Sequence, residues 1–342
     1  MIKIGIVGTG DTVSIGRSHA LAIESDKRAC LAAVYNRRIE RSEGFIAKHN
    51  AATTAAKTYE ELLDKVDAVV ICTPNDSHYY YAKSAIEAGK SVLLEKPVAN
   101  SLEQAKALAD MKLKDGQVGF VGFIYRYSNL FNALKNRVGN DLGEVYTFSV
   151  NYGGKRLCNE TLPIEWRMLE KQGGSGAICD YVSHVIDLAD YTSGIRLEKL
   201  KAIENIFIKE RPVGTDGKTA VENADCATIC GMGKKGELFS VMTSRLGMEE
   251  MRVCVTGRGG MLVASDREPT KLLFFERPYG GGMASEPIIT DVLPQEKQIG
   301  RFYPQMRDFI SAIEGSFSGY ADFKQGLYVE EVVDKINRSC KE

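Results

Sequence analysis

Two short stretches hold the side chains best suited to chemistry. The first is VLLEKPVAN, Val92–Asn100. Three apolar residues run into an acid, Glu95, a base, Lys96, and Pro97, which has no backbone N–H to donate. The second is GGSGAICDYVSHVIDLADY, residues 173–191, where helical spacing puts Asp180, His184 and Asp187 on one face. Imidazole titrates in the physiological range. A carboxylate one turn earlier can fix its tautomer or hold a hydroxyl. The glycine-rich bend in front lets a ligand approach the start of the helix. Taken alone, each stretch has a plainer reading: a strand leaving the core through a turn, and a helix carrying a satisfied or surface histidine.

The elements that must position these groups are legible as periodicity. Over the first 125 residues short apolar runs alternate with helical stretches: IKIGIVG (2–8), CLAAVYN (30–36), DAVVICT (67–73), residues 91–94 and residues 117–124. Strands without polar alternation are buried on both faces, which means a parallel sheet covered by helices. The expected fold is therefore α/β, an N-terminal doubly wound Rossmann sheet. Helices are expected at about 39–49, from Ser77 to Gly89, and at 101–114. After Arg126 the grammar changes. Helices at about 128–138 and 177–192 flank a strand at 144–152, and from 199 to 273 strands follow one another. GMGKKGE (231–237) and TGRGGM (256–261) are hairpin signals. This predicts a C-terminal α+β domain with a largely antiparallel open sheet, closed by helices near 302–314 and 324–339, with 287–300 as a loop. The division is 1–125 for a dinucleotide-binding domain and 126–342 for substrate binding and oligomerisation.

GTGDTVSIG (8–16) stands at the first strand-to-helix turn, where glycines admit a pyrophosphate and a helix N-terminus offers free N–H groups. The G-x-G-x-x-G pattern fails at Val13 and recovers if three residues are inserted and Gly16 takes the third glycine's place. Gly8, Thr9, Gly10, Ile15 and Gly16 are then the phosphate loop, with the hydroxyls of Thr12 and Ser14 adding contacts. Asp11 should point away or cap the helix, because a carboxylate repels a pyrophosphate. At the end of the second strand an acid would read the ribose 2′-hydroxyl of NAD. Here Asn36, Arg37 and Arg38 stand instead, and two guanidiniums suit a 2′-phosphate. NADP is favoured over NAD.

With 342 residues, 44% apolar and 26% charged, the chain suits a soluble two-domain protein. A net charge of −1 gives no reason to expect nucleic acid or an anionic membrane. The N-terminus lacks the signal-peptide pattern, and eight cysteines without a C-x-x-C pair read as reduced thiols of a cytoplasmic protein. Cys226 and Cys230 are four apart in a strand-like stretch without a nearby histidine, and no metal site is expected.

Four segments together resemble the glucose–fructose oxidoreductase / inositol dehydrogenase / rhizopine-catabolism family, Gfo/Idh/MocA. They are GIVGTG…IGRSHA, TPNDSH (73–78), EAGKSVLLEKP (87–97) and WR…GGSGAICDYVSHVID (166–187). The resemblance covers nearly the whole chain. It implies an NAD(P)-dependent dehydrogenase of a sugar, cyclitol or related polyol. Lys96 and His184 would serve proton transfer at the substrate hydroxyl, and Asp180 would bind or orient the substrate. Glu95 and Asn75 would line the nicotinamide side, with Thr73, Pro74, His78 and Arg126 also on the cofactor. E-K-P would then close a strand whose carboxyl end is the ligand crevice. The chemistry agrees: hydride leaves a carbinol carbon only as its O–H proton is removed, a task for a histidine, while an ammonium polarises the developing alkoxide. Tyr152, Arg156, Trp166 and Arg167 are further substrate-side candidates, and His19 suits a structural role. Two departures stand out. Val182 occupies a place where the family usually has glycine, and the phosphate loop is three residues longer. Other readings are a non-catalytic NAD(P)-binding regulator, an NAD-dependent glycosidase and an aldose oxidoreductase with retained cofactor. A homodimer or homotetramer is expected through the open sheet face.

Overall fold

The computed structural model describes residues 1–9, 15–48, 53–247, 249–278, 286–296 and 300–342. The chain divides into two compact units, Met1–Ile124 with Glu296–Glu330, and Tyr125–Gln295 with Glu331–Glu342.

The first unit is built on β1 (Ile2–Val7), α1 (Ile15–Glu24), β2 (Ala29–Tyr35), α2 (Ile39–Ile46), β3 (Thr54–Ala56), α3 (Tyr59–Lys65), β4 (Ala68–Ile71), α4 (His78–Glu87), β5 (Ser91–Leu94), α5 (Leu102–Ala109) and β6 (Gly119–Val121). Its six strands run parallel in the order β3-β2-β1-β4-β5-β6. The order reverses at β1, which pairs with β2 on one side and β4 on the other. Strand β4 (AVVI) and strand β5 (SVLL) are buried at every residue. Each such Val, Leu or Ile contributes roughly 1.5–3 kcal/mol.

Residues 54–65, unread from the sequence, form β3 and α3. Thr58 caps α3 by accepting from the Glu61 amide at 3.1 Å, and the Glu61 carboxylate accepts from the Lys57 amide at 2.8 Å. Helices α2 and α5 are shorter than expected, ending at Ile46 and Ala109, and β6 has three residues. His49, expected in α2, lies outside the described residues.

The second unit holds α6 (Asn129–Arg137), β7 (Val145–Gly153), the short α7 (Glu170–Gly173), α8 (Ser183–Ser193), β8 (Leu197–Asn205), β9 (Glu210–Val213), β10 (Gly217–Ala220), β11 (Cys226–Gly233), β12 (Leu238–Ser244), β13 (Met251–Gly257), β14 (Gly260–Ser265), β15 (Lys271–Glu276) and β16 (Ile288–Asp291). Eight strands form one sheet in the order β16-β15-β14-β13-β7-β12-β11-β8, and β9 and β10 form a separate ribbon. Every pairing in the large sheet is antiparallel except β7 with β12. Both glycine-marked turns are the predicted hairpins, β11–β12 and β13–β14. Alternation is clear in β12: Phe239, Val241 and Thr243 are buried, while Leu238 and Met242 are 57% and 47% exposed. Helices α6 and α8 pack against each other and on the sheet.

Two expectations are corrected. Residues 287–300 are not all loop: Ile288–Asp291 pairs with β15 as an edge strand. Pro287 and Pro294 bracket this strand, and proline is tolerated beside an edge strand. The helix at 177–192 is not uniform, for Ile178–Val182 forms a wider π-helical turn before α8 begins. The last helices are α9 (Phe302–Ile313) and α10 (Phe323–Ser339). Helix α9 packs on α1 in the first unit, where Phe302 meets the His19 ring edge-on at 4.9 Å.

Candidate active site

In the first unit the candidate residues gather at the carboxyl ends of β1, β2, β4 and β5. Gly8 ends β1 with φ +93°, and a Cβ there would lie 2.9 Å from the backbone of Cys72. Only glycine fits. Gly16, at the start of α1, is as tight: a Cβ would come within 2.9 Å of the Gly8 carbonyl oxygen. Both glycines are buried, and their lack of a side chain lets the β1 end, the β4 end and the start of α1 approach closely. Thr9 is buried and accepts from the Asn36 amide group at 2.8 Å. Asn36 also accepts from the Arg38 backbone N–H at 3.0 Å, which shapes the entry to α2. Arg37 and Arg38 are exposed, and Ile15 is half-buried. Gly10, Asp11, Thr12, Val13 and Ser14 lie outside the described residues.

His78 stitches the β4 and β5 ends together. It is buried, with Nδ1 2.6 Å from the Pro97 carbonyl oxygen and Nε2 2.9 Å from that of Thr73. Burial pushes its pKa below the ordinary value, and the two carbonyls oppose this. Ser77 donates to the Thr73 hydroxyl at 2.8 Å and to the Pro74 carbonyl at 2.9 Å, and Asn75 beside them is buried. Glu95 continues the β5 ladder, its N–H reaching the Ile71 carbonyl at 3.0 Å. Its carboxylate accepts from His19 Nε2 at 2.8 Å and lies over Gly122. Lys96 is half-buried. Behind it, Gly326 on α10 touches Val98, and one turn on Glu330 is almost fully buried with Lys96 as the charge acting on it.

The second unit brings together a different group. Gly176 has φ +66°, and a Cβ there would sit 2.5 Å from the Ala224 carbonyl oxygen. This glycine bend lets the Ala177 amide reach that carbonyl at 2.9 Å and starts the helix that carries Asp180 and His184. His184 is 8% exposed, and its ring meets Tyr125 edge-on at 5.0 Å. Tyr125 and Tyr152 share a hydroxyl hydrogen bond of 2.7 Å, and Tyr152 packs edge-on against Tyr181 at 4.9 Å. Burial, then the Asp180 charge, pushes the Tyr181 hydroxyl up to about 12. The Asp180 charge thus acts on two tyrosines of the cluster that contacts His184. Asp187, expected on the same face, is 2% exposed and accepts two bonds from Arg126. Val182 is fully buried and fills core space.

Trp166 and Arg167 stack at 4.2 Å before the glycine bend, and Arg156 pairs with Glu165. Tyr125, Tyr181, Arg211, Asn223, Arg245 and Glu330 were not expected from the sequence. Tyr125 and Tyr181 adjoin candidates and could have been found by that adjacency. The others are remote in sequence, and only the fold brings them in. Among the described residues, no cluster of three His, Cys, Asp or Glu is placed to hold a metal. No helix among them is long and apolar enough to cross a membrane.

Comparison with known proteins defines the class first. Residues 2–123 match the family described as an oxidoreductase family with an NAD-binding Rossmann fold, and residues 131–263 match the GFO/IDH/MocA C-terminal domain. The protein is an oxidoreductase of the dinucleotide-binding kind. The chain belongs to the Gfo/Idh/MocA family. Glucose-6-phosphate 3-dehydrogenase of Bacillus subtilis is 31% identical over 73% of this chain and 69% of its own. Inositol 2-dehydrogenase of Rhizobium meliloti is 23% identical over 100% of this chain and 97% of its own. An oxidoreductase domain protein from Kribbella flavida superposes with a TM-score of 0.87 at 26% identity, over 99% of this chain and 97% of that one.

Proposed function

We propose that the protein is an NAD(P)-dependent dehydrogenase that moves hydride between nicotinamide and a carbinol or carbonyl carbon of a sugar, cyclitol or related polyol. Residues 1–125 bind the cofactor and 126–342 the substrate. The observation that carries the reading is the His184–Tyr125–Tyr152 cluster with Asp180 on the same helix, in a chain of an oxidoreductase family. The close glycines Gly8 and Gly16 at the β1-to-α1 turn support a dinucleotide site, with Thr9, Ile15, Thr73, Pro74, Asn75 and His78 at the same strand ends.

Nicotinamide, when bound, accepts or supplies the hydride. His184 takes the hydroxyl proton during oxidation and returns it during reduction. Lys96 holds the developing oxyanion with its ammonium. Asp180 orients a substrate hydroxyl, and Tyr152, Arg156, Trp166 and Arg167 complete recognition. Glu95, held by His19, lines the nicotinamide side. Arg37 and Arg38, exposed at the end of β2, favour NADP over NAD. Absorbance at 340 nm with a panel of sugars and cyclitols and each cofactor tests the reaction; a panel that never changes NAD(P)H absorbance in either direction counts against it.

The open sheet face, with Ile203, Leu238 and Met242 exposed at 78%, 57% and 47%, supports a homodimer or homotetramer. A monomer in sedimentation at micromolar concentration would oppose this. Eight free cysteines suit a reducing, cytoplasmic setting.

A further inference from the structure

In the second unit the Asp180 charge acts on Arg156 and Arg167, and two further arginines are buried. Arg156 is paired with Glu165. Arg211 and Arg245 are each 1% exposed, and among the described residues their guanidiniums donate to neutral oxygens alone. Arg211 donates to the Asn159 and Leu157 carbonyls. Arg245 donates to Asn223 Oδ1 at 3.0 Å and to the Arg167 carbonyl at 3.1 Å. Among the described residues, the Nε of each has no partner. Arg167 lies over the Trp166 ring, 4.2 Å from its centroid, and, among the described residues, makes no ion pair.

Asp180 and Glu165 are the carboxylates, and Arg156 and Arg245 the guanidiniums, whose charges act on Arg167, and Glu165 is already engaged by Arg156. Burial, with Arg156 and Arg245 as like charges, holds Arg167 below its ordinary value against the pull of Asp180. A largely buried guanidinium without an ion pair is costly unless an anion meets it. Stacking on an indole face fixes a guanidinium and leaves its donor edge open, the geometry that grips a phosphate or carboxylate by two bonds.

We propose that Arg167, backed by Arg156 and Arg245, binds an oxyanion carried by the substrate, so that the preferred ligand is an acidic sugar, a phosphate ester or a carboxylate. This rests on the dehydrogenase reading and narrows its substrate class. The substrate oxyanion pairs with the Arg167 guanidinium and anchors the sugar beside Asp180, and neutral polyols lose that anchor.

The test is calorimetric titration of the full chain, saturated with reduced cofactor, with glucose, glucose 6-phosphate and glucuronate. At least one acidic sugar is expected to bind about tenfold or more tighter than glucose, the range of a charge-assisted hydrogen bond. Which one does so identifies the anion. Arg167→Gln should erase the difference and Arg167→Lys restore part of it, while reduced-cofactor affinity is kept. Equal binding of all three, no binding by any, or discrimination that survives in Arg167→Gln overturns the proposal. Turnover of neutral polyols alongside equal binding would sink the acidic-substrate inference and leave the dehydrogenase standing. Failure to bind either cofactor would instead sink the dehydrogenase.

Discussion

Arg126 holds Asp187 by two parallel bonds, Nε to Oδ2 at 2.8 Å and Nη2 to Oδ1 at 2.7 Å. The acid is 2% exposed and the arginine side chain 13%. Because Tyr125 precedes Arg126 and packs on His184, one short segment fixes α8 at two points a turn apart. Removing one partner of such a pair leaves a buried uncompensated charge. Asp187→Ala is therefore expected to cost about 3–5 kcal/mol in denaturant unfolding. A loss no larger than that of an exposed pair would show that the segment does not depend on it.

The first unit has a counterpart in His19 and Glu95. His19 is 0% exposed and donates to a carboxylate that is 13% exposed. His19→Ala removes the donor and an edge contact to Phe302, so stability should fall by about 1–3 kcal/mol. His19→Gln, which can still donate, should recover part of it. Identical unfolding midpoints for the two variants would contradict the hydrogen bond's importance.

Lys96→Ala and His184→Ala separate chemistry from binding. Each should lower kcat by about 10²–10⁴ while NAD(P)H affinity stays near the wild-type value. Single-turnover absorbance and fluorescence titration measure the two quantities. Loss of cofactor binding in both, with turnover intact at saturation, would reverse the assignment.

Glu330 gives a pH signature. Burial pushes its carboxyl from 4.5 up to about 8, and the Lys96 charge opposes the rise. The folded state thus holds a proton that the unfolded chain releases between pH 4.5 and about 8. Stability attributable to this group falls as pH rises through that window, and the cost is complete above it. Glu330→Gln cannot ionise, so its advantage over wild type should grow from pH 5 to pH 9 by a few kcal/mol, at about 1.4 kcal/mol for each pH unit crossed inside the window. Urea midpoints at the two pH values measure it. Parallel pH profiles would show that Glu330 does not titrate there.

Elements buried on both faces were the most legible. Strand β5 shows this best: Ser91–Leu94 has no alternation and ends where Glu95 begins. The hairpins were marked by glycine, and the chemistry-bearing positions by rare residue types in tight spacing. Strand β3 escaped because Thr-Ala-Ala carries little strand signal, although Thr58 and Glu61 spelled the cap of α3. The π-helical turn at Ile178–Val182 escaped because a helical wheel assumes constant pitch; Asp180 and Asp187 consequently serve different neighbours. Arg211, Arg245 and Asn223 reach Arg167 and Leu157 only through the sheet and ribbon, and no local pattern carries such contacts.

The most direct measurement is a fluorescence titration of the purified chain with NADPH and with NADH, together with the absorbance of the supernatant after denaturation. Saturable binding of at least one is expected, tighter for NADPH if Arg37 and Arg38 read a 2′-phosphate, or else cofactor already retained and released on denaturation. Binding of neither, with no cofactor in the supernatant, would contradict a dinucleotide-dependent dehydrogenase.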